Sequence, residues 1–265
     1  MKRFLAATVL MVASQAAIAQ DNPLTDSASW DELRSALIGE QTPLDGAPIF
    51  AVEAPFRAHD AATVPIGIIQ RDGAPNIEKA LVIIDENPAP LAAELSFGEA
   101  MAPLVFELRV RVNQYSNVRV IAETDAGMFM NGRYVKASGG CSAPATRAAE
   151  EALATMGQMR LRDFDAVPLM SGQRREAQIM IRHPNYSGLQ RDQITHLFVS
   201  AHFIDQIEVY QGDELLFKLE GGISVSENPV FRFSYRDNGA PAIRVHARDT
   251  EGNIFEQILA KDQGA

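Results

Sequence analysis

Most of this chain consists of short runs in which apolar and polar residues alternate, and each run ends at turn residues. In residues 104–113, LVFELRVRVN, the apolar residues Phe106, Leu108 and Val110 alternate with charged ones. A period of two places alternate side chains on opposite faces of a β-strand, so the apolar set lies on one face. The pattern therefore predicts half-buried sheets and argues against a helical bundle.

The alternating runs form two blocks, at residues 47–137 and 158–262, with turn sequences such as RDGAPN and DTEGN between neighbouring runs. The first block holds six or seven such runs in about ninety residues, which is typical of an antiparallel β-sandwich. We therefore predict an all-β fold with two immunoglobulin-like β-sandwich domains in series.

Two short helical segments interrupt the strand pattern. Before the first block, Ser29 and Glu32 have the spacing of a capping box, and Gly39 predicts the end of a helix. Between the blocks, the alanine-rich residues 144–157 predict a helical linker. Four apolar residues of the first helix recur at helical spacing, and we expect them to face a core: Trp30, Leu33, Leu37 and Ile38.

The first 19 residues have the three-part pattern of a secretory signal peptide. Lys2 and Arg3 precede an apolar run, and small residues precede an expected cleavage after Ala19. The alternative is a membrane anchor, but the run is short for a bilayer span and no later stretch reaches that length. We expect a soluble periplasmic protein, with no membrane association after cleavage.

The charge balance excludes some partners. The chain has 24 basic and 34 acidic residues, so loss of Lys2 and Arg3 with the signal peptide leaves a net charge of about −12. An acidic surface repels phosphate backbones and anionic lipids, which argues against nucleic-acid and membrane partners.

Motifs of common enzyme classes are missing from the sequence. It contains no Gly-x-Ser-x-Gly elbow, no Gly-x-Gly-x-x-Gly fingerprint and no phosphate-binding loop. His196 and His202 lie six residues apart in a predicted strand and could share a metal, but no third ligand has a convincing spacing. Ordinary strand or turn histidines are the favoured interpretation.

Two further pairs of residues could have either a chemical or a purely structural role. Met128 and Met130 could bind copper, although strand methionines usually belong to a core. Asp85 and Glu86 could act as a general acid and base, but acidic residues beside turns are common. We favour the structural interpretation of both, and predict no metal, no cofactor and no catalytic activity.

Cys141 is the only cysteine, so it cannot form an intramolecular disulfide. Glycine, serine and proline surround it, which predicts an exposed turn, and an unpaired thiol in an exported protein suggests intermolecular pairing or reactivity. The start of the linker helix and the nearby Lys136 and Arg147 should favour the thiolate. The residue types thus predict an exposed Cys141 whose pKa is low; the alternative is an inert thiol.

The chain resembles the sulfur-oxidation carrier SoxYZ with its two subunits fused. The segments WDELRSALIG, KALVIIDENPAPLAAELSF and RVIAETDAGMFMNGRYVKASGGC resemble SoxY, and AQIMIRHPNYSG and VFRFSYRDNGAPAIRVHARDTEGNIFE resemble SoxZ. More narrowly, the fusion is similar to SoxYZ-like carriers associated with quinoprotein dehydrogenases. The domains would be a signal peptide at 1–19, a SoxY-like domain at 20–143, a helical linker at 144–157 and a SoxZ-like domain at 158–265.

The resemblance implies a covalent carrier. In SoxY, the cysteine of a Gly-Gly-Cys-Gly-Gly tail holds thiosulfate-derived sulfur while periplasmic enzymes process it, and SoxZ is the structural partner. Gly139 and Gly140 match the glycines before that cysteine and would form a flexible carrier arm, and Cys141 matches the attachment site. Ser142 and Ala143 replace the trailing glycines, and the chain continues beyond them.

Two functions follow from these expectations. The first is a periplasmic, non-enzymatic carrier that presents a sulfur-containing intermediate on Cys141 to sulfur-oxidation enzymes. The alternative is a non-catalytic accessory or binding protein of a periplasmic quinoprotein alcohol dehydrogenase, in which Cys141 is dispensable.

Overall fold

The computed structural model describes residues 22–146, 149–164, 172–193 and 195–262. The predicted signal peptide and Arg147 lie outside these ranges. Within them the chain forms two α-helices, α1 (Trp30–Ile38) and α2 (Ala149–Ala154). The strands of the first half are β1 (Leu44–Asp45), β2 (Phe50–Glu53), β3 (Val64–Gln70), β4 (Lys79–Ile84), β5 (Leu91–Phe97), β6 (Val105–Val110), β7 (Ser116–Thr124) and β8 (Gly127–Val135). Those of the second half are β9 (Met159–Asp163), β10 (Arg174–Ile181), β11 (Ile204–Gln211), β12 (Glu214–Gly221), β13 (Val230–Arg236), β14 (Ala242–Asp249) and β15 (Ile254–Ala260).

The strands form two large sheets, which confirms the predicted all-β fold. The nine-stranded sheet has the order β1-β8-β7-β4-β5-β12-β11-β14-β15, and the six-stranded sheet has the order β2-β3-β6-β13-β10-β9. Each half of the chain supplies adjacent strands to both sheets, as expected for two β-sandwich domains in series. The alternation seen in the sequence reappears as burial, since every second residue of β6 and of β10 is buried.

The two halves join edge to edge along a seam. β5 pairs with β12 in one sheet, and β6 pairs with β13 in the other; both pairs are antiparallel. Each pairing satisfies backbone groups that would otherwise form an open sheet edge. The buried apolar residues of both halves consequently form one continuous core cluster.

Aromatic side chains fill the core at this seam. The ring of Phe106 on β6 packs edge-on against Phe217 on β12, with 5.0 Å between ring centroids, and against Phe97 on β5 at 5.4 Å. Phe217 in turn packs against Phe233 on β13 at 5.2 Å. Edge-to-face pairs of this kind add to the free energy gained from burial, so the seam is held by side chains as well as by backbone pairing.

Helix α1 is present between Ser29 and Gly39, as predicted, but Ser29 makes no capping hydrogen bond. Ser29 has helical backbone angles, with φ of −78° and ψ of −19°, whereas a side-chain N-cap needs an extended residue. The Ser29 hydroxyl instead donates to Glu86 Oε1 at 2.9 Å. None of the four apolar residues reaches full burial; Trp30, which lies under the guanidinium of Arg119 at 4.2 Å, is half-buried.

The linker helix is shorter than predicted. It covers only Ala149–Ala154 of residues 144–157, and residues 147–148 lie outside the described part of the chain. After α2, Gly157 has a φ of +83°, a left-handed conformation that glycine adopts without strain.

The seam predicts that the two halves unfold together. Phe106→Ala should lower the free energy of unfolding by about 3–5 kcal/mol, because it leaves a cavity in the core at the seam. Val105→Ala, at a residue of the same strand that is 39% exposed, is the matched control and should cost much less. Denaturant unfolding followed by fluorescence and circular dichroism checks this. Two separate transitions in the unsubstituted protein would contradict it.

Candidate functional site

Cys141 lies in a single turn of 3-10 helix, Gly140–Ser142, that follows β8. Two backbone hydrogen bonds fix the residues before it to the first half of the chain. The N–H of Gly139 donates to the carbonyl of Asn113 at 2.8 Å, and the N–H of Gly140 donates to that of Val112 at 3.1 Å. We call residues 139–146 the arm, and Gly139 and Gly140 its stem.

Both stem glycines are required by this docked geometry. Gly139 has a φ of +79°, in the left-handed region. A Cβ atom on Gly140 would lie 2.1 Å from the carbonyl oxygen of Ala61 and 2.7 Å from that of Val112. The glycines therefore let the backbone pack closely against the first half, rather than forming the flexible approach that the resemblance implied.

Side chains of the second half hold the rest of the arm. The Ser187 hydroxyl donates a short hydrogen bond to the carbonyl oxygen of Cys141, and Gln190 Nε2 donates to that of Ala143 at 2.9 Å. The backbone N–H of Thr146 donates to Glu227 Oε2 at 3.0 Å. We call Ser187, Gln190 and Glu227 the clasp. The arm therefore bridges the two domains.

The prediction of an exposed, acidic thiol is wrong. Cys141 is completely buried, and burial raises the pKa of its thiol to about 11, although the positive charge of Arg111 opposes that rise. The neighbouring sequence suggested exposure because its residues are small and polar, but Ser187, 46 residues further along the chain, binds the backbone carbonyl of Cys141. Helix α2 begins at Ala149, eight residues after the thiol. Lys136 lies over the ring of Phe56 instead, 4.6 Å from its centroid.

Arg111 is the cation beside the arm. Its side chain is almost wholly buried; Nη1 donates to the carbonyl oxygen of Gly140 at 3.2 Å, and Nη2 donates to that of Asn185 at 3.2 Å. The alternating pattern that contains Arg111 marked it as part of a strand, and no sequence signal linked it to Cys141. It connects the stem with the second half.

A histidine pair does come together, but it differs from the predicted one. His196 does not join His202; instead His202 Nε2 lies 2.7 Å from Asp249 Oδ2, and His183 Nε2 lies 3.4 Å from the same oxygen. All three of these side chains are buried. Sequence reasoning missed the group because 47 and 66 residues separate the histidines from Asp249.

The hydrogen bonds of this group fit a structural role better than a metal site. A histidine that binds a metal through one ring nitrogen usually donates a proton from the other. Here Nδ1 of His183 accepts the backbone N–H of Asn185 at 3.0 Å, so Nε2 carries the proton and donates to Asp249. Burial lowers the pKa of His183, which keeps the ring neutral. The group fixes Asn185, whose carbonyl binds Arg111.

Three of the other candidate residues, Asp85, Glu86 and Met130, have structural partners. Asp85 is buried and forms an ion pair with Arg119, with Nε 2.9 Å from Oδ1. Met130 Sδ accepts from the same guanidinium at 4.0 Å, and Met128 lies two residues earlier on β8. Glu86 accepts the hydroxyl of Ser29. These contacts connect α1 with the sheet.

A surface groove of about 860 Å³ lies along the first half, and its lining includes Glu53, Arg57, Glu107 and Arg133. No residue of the arm contributes to it. The groove is therefore separate from the surroundings of Cys141.

Family models match the chain in two places. The family described as sulfur oxidation protein SoxY matches residues 34–141, and the family described as sulphur oxidation protein SoxZ matches residues 167–259. The chain carries a SoxY domain and a SoxZ domain in series. The SoxY match ends on Cys141, the residue that the arm holds between the two domains. SoxY and SoxZ are carrier or accessory proteins that work with sulfur-oxidation enzymes.

Among solved structures, the sulfur carrier protein SoxY from Chlorobium limicola f. thiosulfatophilum is similar to 41% of this chain, over 94% of its own length, at 22% identity and a TM-score of 0.34. At this TM-score the similarity adds no argument to the family matches. A comparison with curated proteins finds no match. In the described part of the chain, no helix has the length and apolar character of a membrane span.

The burial of Cys141 predicts slow alkylation of the native protein. Near pH 8, iodoacetamide should modify the folded chain at least about tenfold more slowly than the urea-unfolded chain, because the thiolate is scarce when its pKa is about 11. Intact mass spectrometry of timed, quenched samples gives both rates. Equal rates in the two states would contradict the buried position.

Proposed function

We propose that this SoxYZ chain is a periplasmic carrier that holds a sulfur-containing intermediate covalently on Cys141 and presents it to sulfur-oxidation enzymes. The observation that carries the proposal is the position of the thiol. Cys141 is the only cysteine, and it ends the SoxY match. It also lies on the arm where the two domains meet. The pattern of residues 1–19 supports the periplasmic location.

The attachment chemistry needs only a thiolate and a sulfur species. When the Cys141 thiolate displaces a leaving thiolate from a donor that contains an S–S bond, one S–S bond forms and one breaks, so no external oxidant is needed. When the thiolate is joined to the outer sulfur of thiosulfate instead, an S–S bond forms and two electrons are released. A redox enzyme among the partners must then accept those two electrons.

The buried thiol requires the arm to open before either reaction. Opening breaks the hydrogen bonds that Ser187, Gln190 and Glu227 make to the arm. Each such bond contributes about 0.5–1.5 kcal/mol net, so release of the clasp costs a few kcal/mol, within the range that contact with a partner can supply. The stem bonds to Asn113 and Val112 belong to the first half and stay in place.

The arm is tied at both ends, which limits its reach. Its stem follows β8, and its far end continues into α2. A partner enzyme must therefore approach the place where the two domains meet, because the arm cannot extend as a free tail would. In this proposal the chain carries its cargo without transforming it.

The burial of Cys141 also favours the second candidate function. In that case the chain is an accessory or binding protein of a periplasmic quinoprotein alcohol dehydrogenase, and Cys141 is an inert part of the interface between the domains. The two functions differ in one respect that can be measured, since only the carrier bears an adduct on its thiol.

The carrier function predicts a cargo on protein taken from its native cells. Intact mass spectrometry should show a fraction of the chain with added mass from one or more sulfur atoms, and a reductant should remove that mass, because the cargo is held by an S–S bond. Peptide mapping should place the addition on Cys141.

Cys141→Ser is the matched variant for this experiment. It should fold, since serine differs from cysteine by one atom, and it should carry no added mass and fail to support sulfur oxidation. A Cys141→Ser strain that oxidises sulfur compounds at the normal rate, together with an unmodified thiol in the natural protein, would contradict the carrier function. It would leave the accessory function in place.

A further inference from the structure

A buried positive charge lies beside the carrier thiol without an anionic partner of its own. Arg111 is 1% exposed, and it forms no ion pair with any carboxylate in the described part of the chain. Its two hydrogen bonds go to neutral carbonyl oxygens, of Gly140 and Asn185. Its Nε–H is buried and has no hydrogen-bond partner.

This arrangement is costly unless an anion completes it. A buried guanidinium is normally paired with a carboxylate, because removal of a charge from water has a large free-energy cost. Elsewhere in this protein that pairing is made; Arg119 binds Asp85, and Arg175 lies 3.3 Å from Asp237. Among the described residues, Arg111 has no such carboxylate: burial lowers its pKa, and the charges of Cys141, Glu227 and Asp60 only oppose that effect. Of these three groups, the Cys141 thiol opposes the effect of burial on Arg111 most strongly.

We propose that Arg111 is a specificity-determining residue of the carrier site, which selects anionic sulfur groups at Cys141, such as a persulfide or a terminal sulfonate on the attached sulfur. This inference rests on the carrier function proposed above, and it names the charge of the cargo. The unpaired Nε–H and the planar guanidinium supply the donors that an anion requires.

The attachment of the stem keeps Arg111 close to the thiol when the clasp opens. Nη1 of Arg111 binds the carbonyl of Gly140, which directly precedes Cys141, and the stem is held by backbone hydrogen bonds of the first half. The clasp side chains all belong to the second half. Release of the clasp therefore leaves Arg111 bound to the residue that precedes the thiol.

A pair of alkylating reagents tests the proposal independently of any native cargo. Iodoacetate is anionic and iodoacetamide is neutral, so the ratio of their rates at Cys141 reports the local charge. Arm opening and the thiolate fraction affect both reagents equally and cancel in the ratio. The net charge of the protein, −10, repels the anionic reagent, so any preference for it must come from a local cation.

The expected result is a rate ratio, iodoacetate to iodoacetamide, that is at least about threefold higher in the native protein than in the urea-unfolded chain. Arg111→Gln should remove this excess, Arg111→Lys should keep most of it, and Arg109→Gln, two residues earlier on β6, should leave it unchanged. If Arg111→Gln does not fold, the native-to-unfolded comparison and the Arg111→Lys variant still decide.

A ratio that is the same in the native and unfolded protein, or one that Arg111→Gln leaves unchanged, would overturn the proposal and leave Arg111 as a purely structural link. That outcome is distinguishable from failure of the carrier function, which shows as the absence of any adduct on Cys141 in native cells.

Discussion

The pairing of β5 with β12 and of β6 with β13 is the constraint on which the rest of this structure depends. It fuses two sandwiches into two continuous sheets over one core. It also determines which loop of the second half faces which end of the first. Because these pairings fix the relative position of the halves, the clasp residues lie over the arm, and the thiol near the domain boundary becomes buried. The burial of Cys141 is thus a consequence of sheet pairing.

A chain of hydrogen bonds carries this constraint from the second domain to the thiol. Asp249 accepts from His183, His183 accepts from the N–H of Asn185, and the carbonyl of Asn185 accepts from Arg111. Arg111 then binds Gly140, next to Cys141. The surroundings of Cys141 are therefore built by both domains, although the thiol itself belongs to the first. This shared construction gives a physical reason for the two domains to be joined in one chain.

The sequence predicted the strands well, because alternation records the burial of one sheet face; β6 and β10 follow the pattern residue by residue. It also identified Cys141 and both glycines as a special segment. It could not predict the environment of the thiol, because Ser187, Gln190 and Glu227 lie 46 to 86 residues away along the chain and reach the arm only through the fold. The partners of Arg111 and Asp249 could not be predicted for the same reason, because they are also distant along the chain. The local composition predicted an exposed Cys141, but contacts with the second domain bury it.

The clasp buries Cys141 and has to release before the thiol reacts, so a group attached to the thiol should hold the arm open. Hydrogen–deuterium exchange, compared between the free protein and the protein alkylated at Cys141, tests this most directly. We expect faster exchange in the segments 141–146 and 185–190 of the modified form, with the stem amides of Gly139 and Gly140 and the seam strands β6 and β13 still protected. Unchanged exchange in the arm of the modified protein would show that the clasp does not control access to Cys141, as would a loss of protection spread over both sheets.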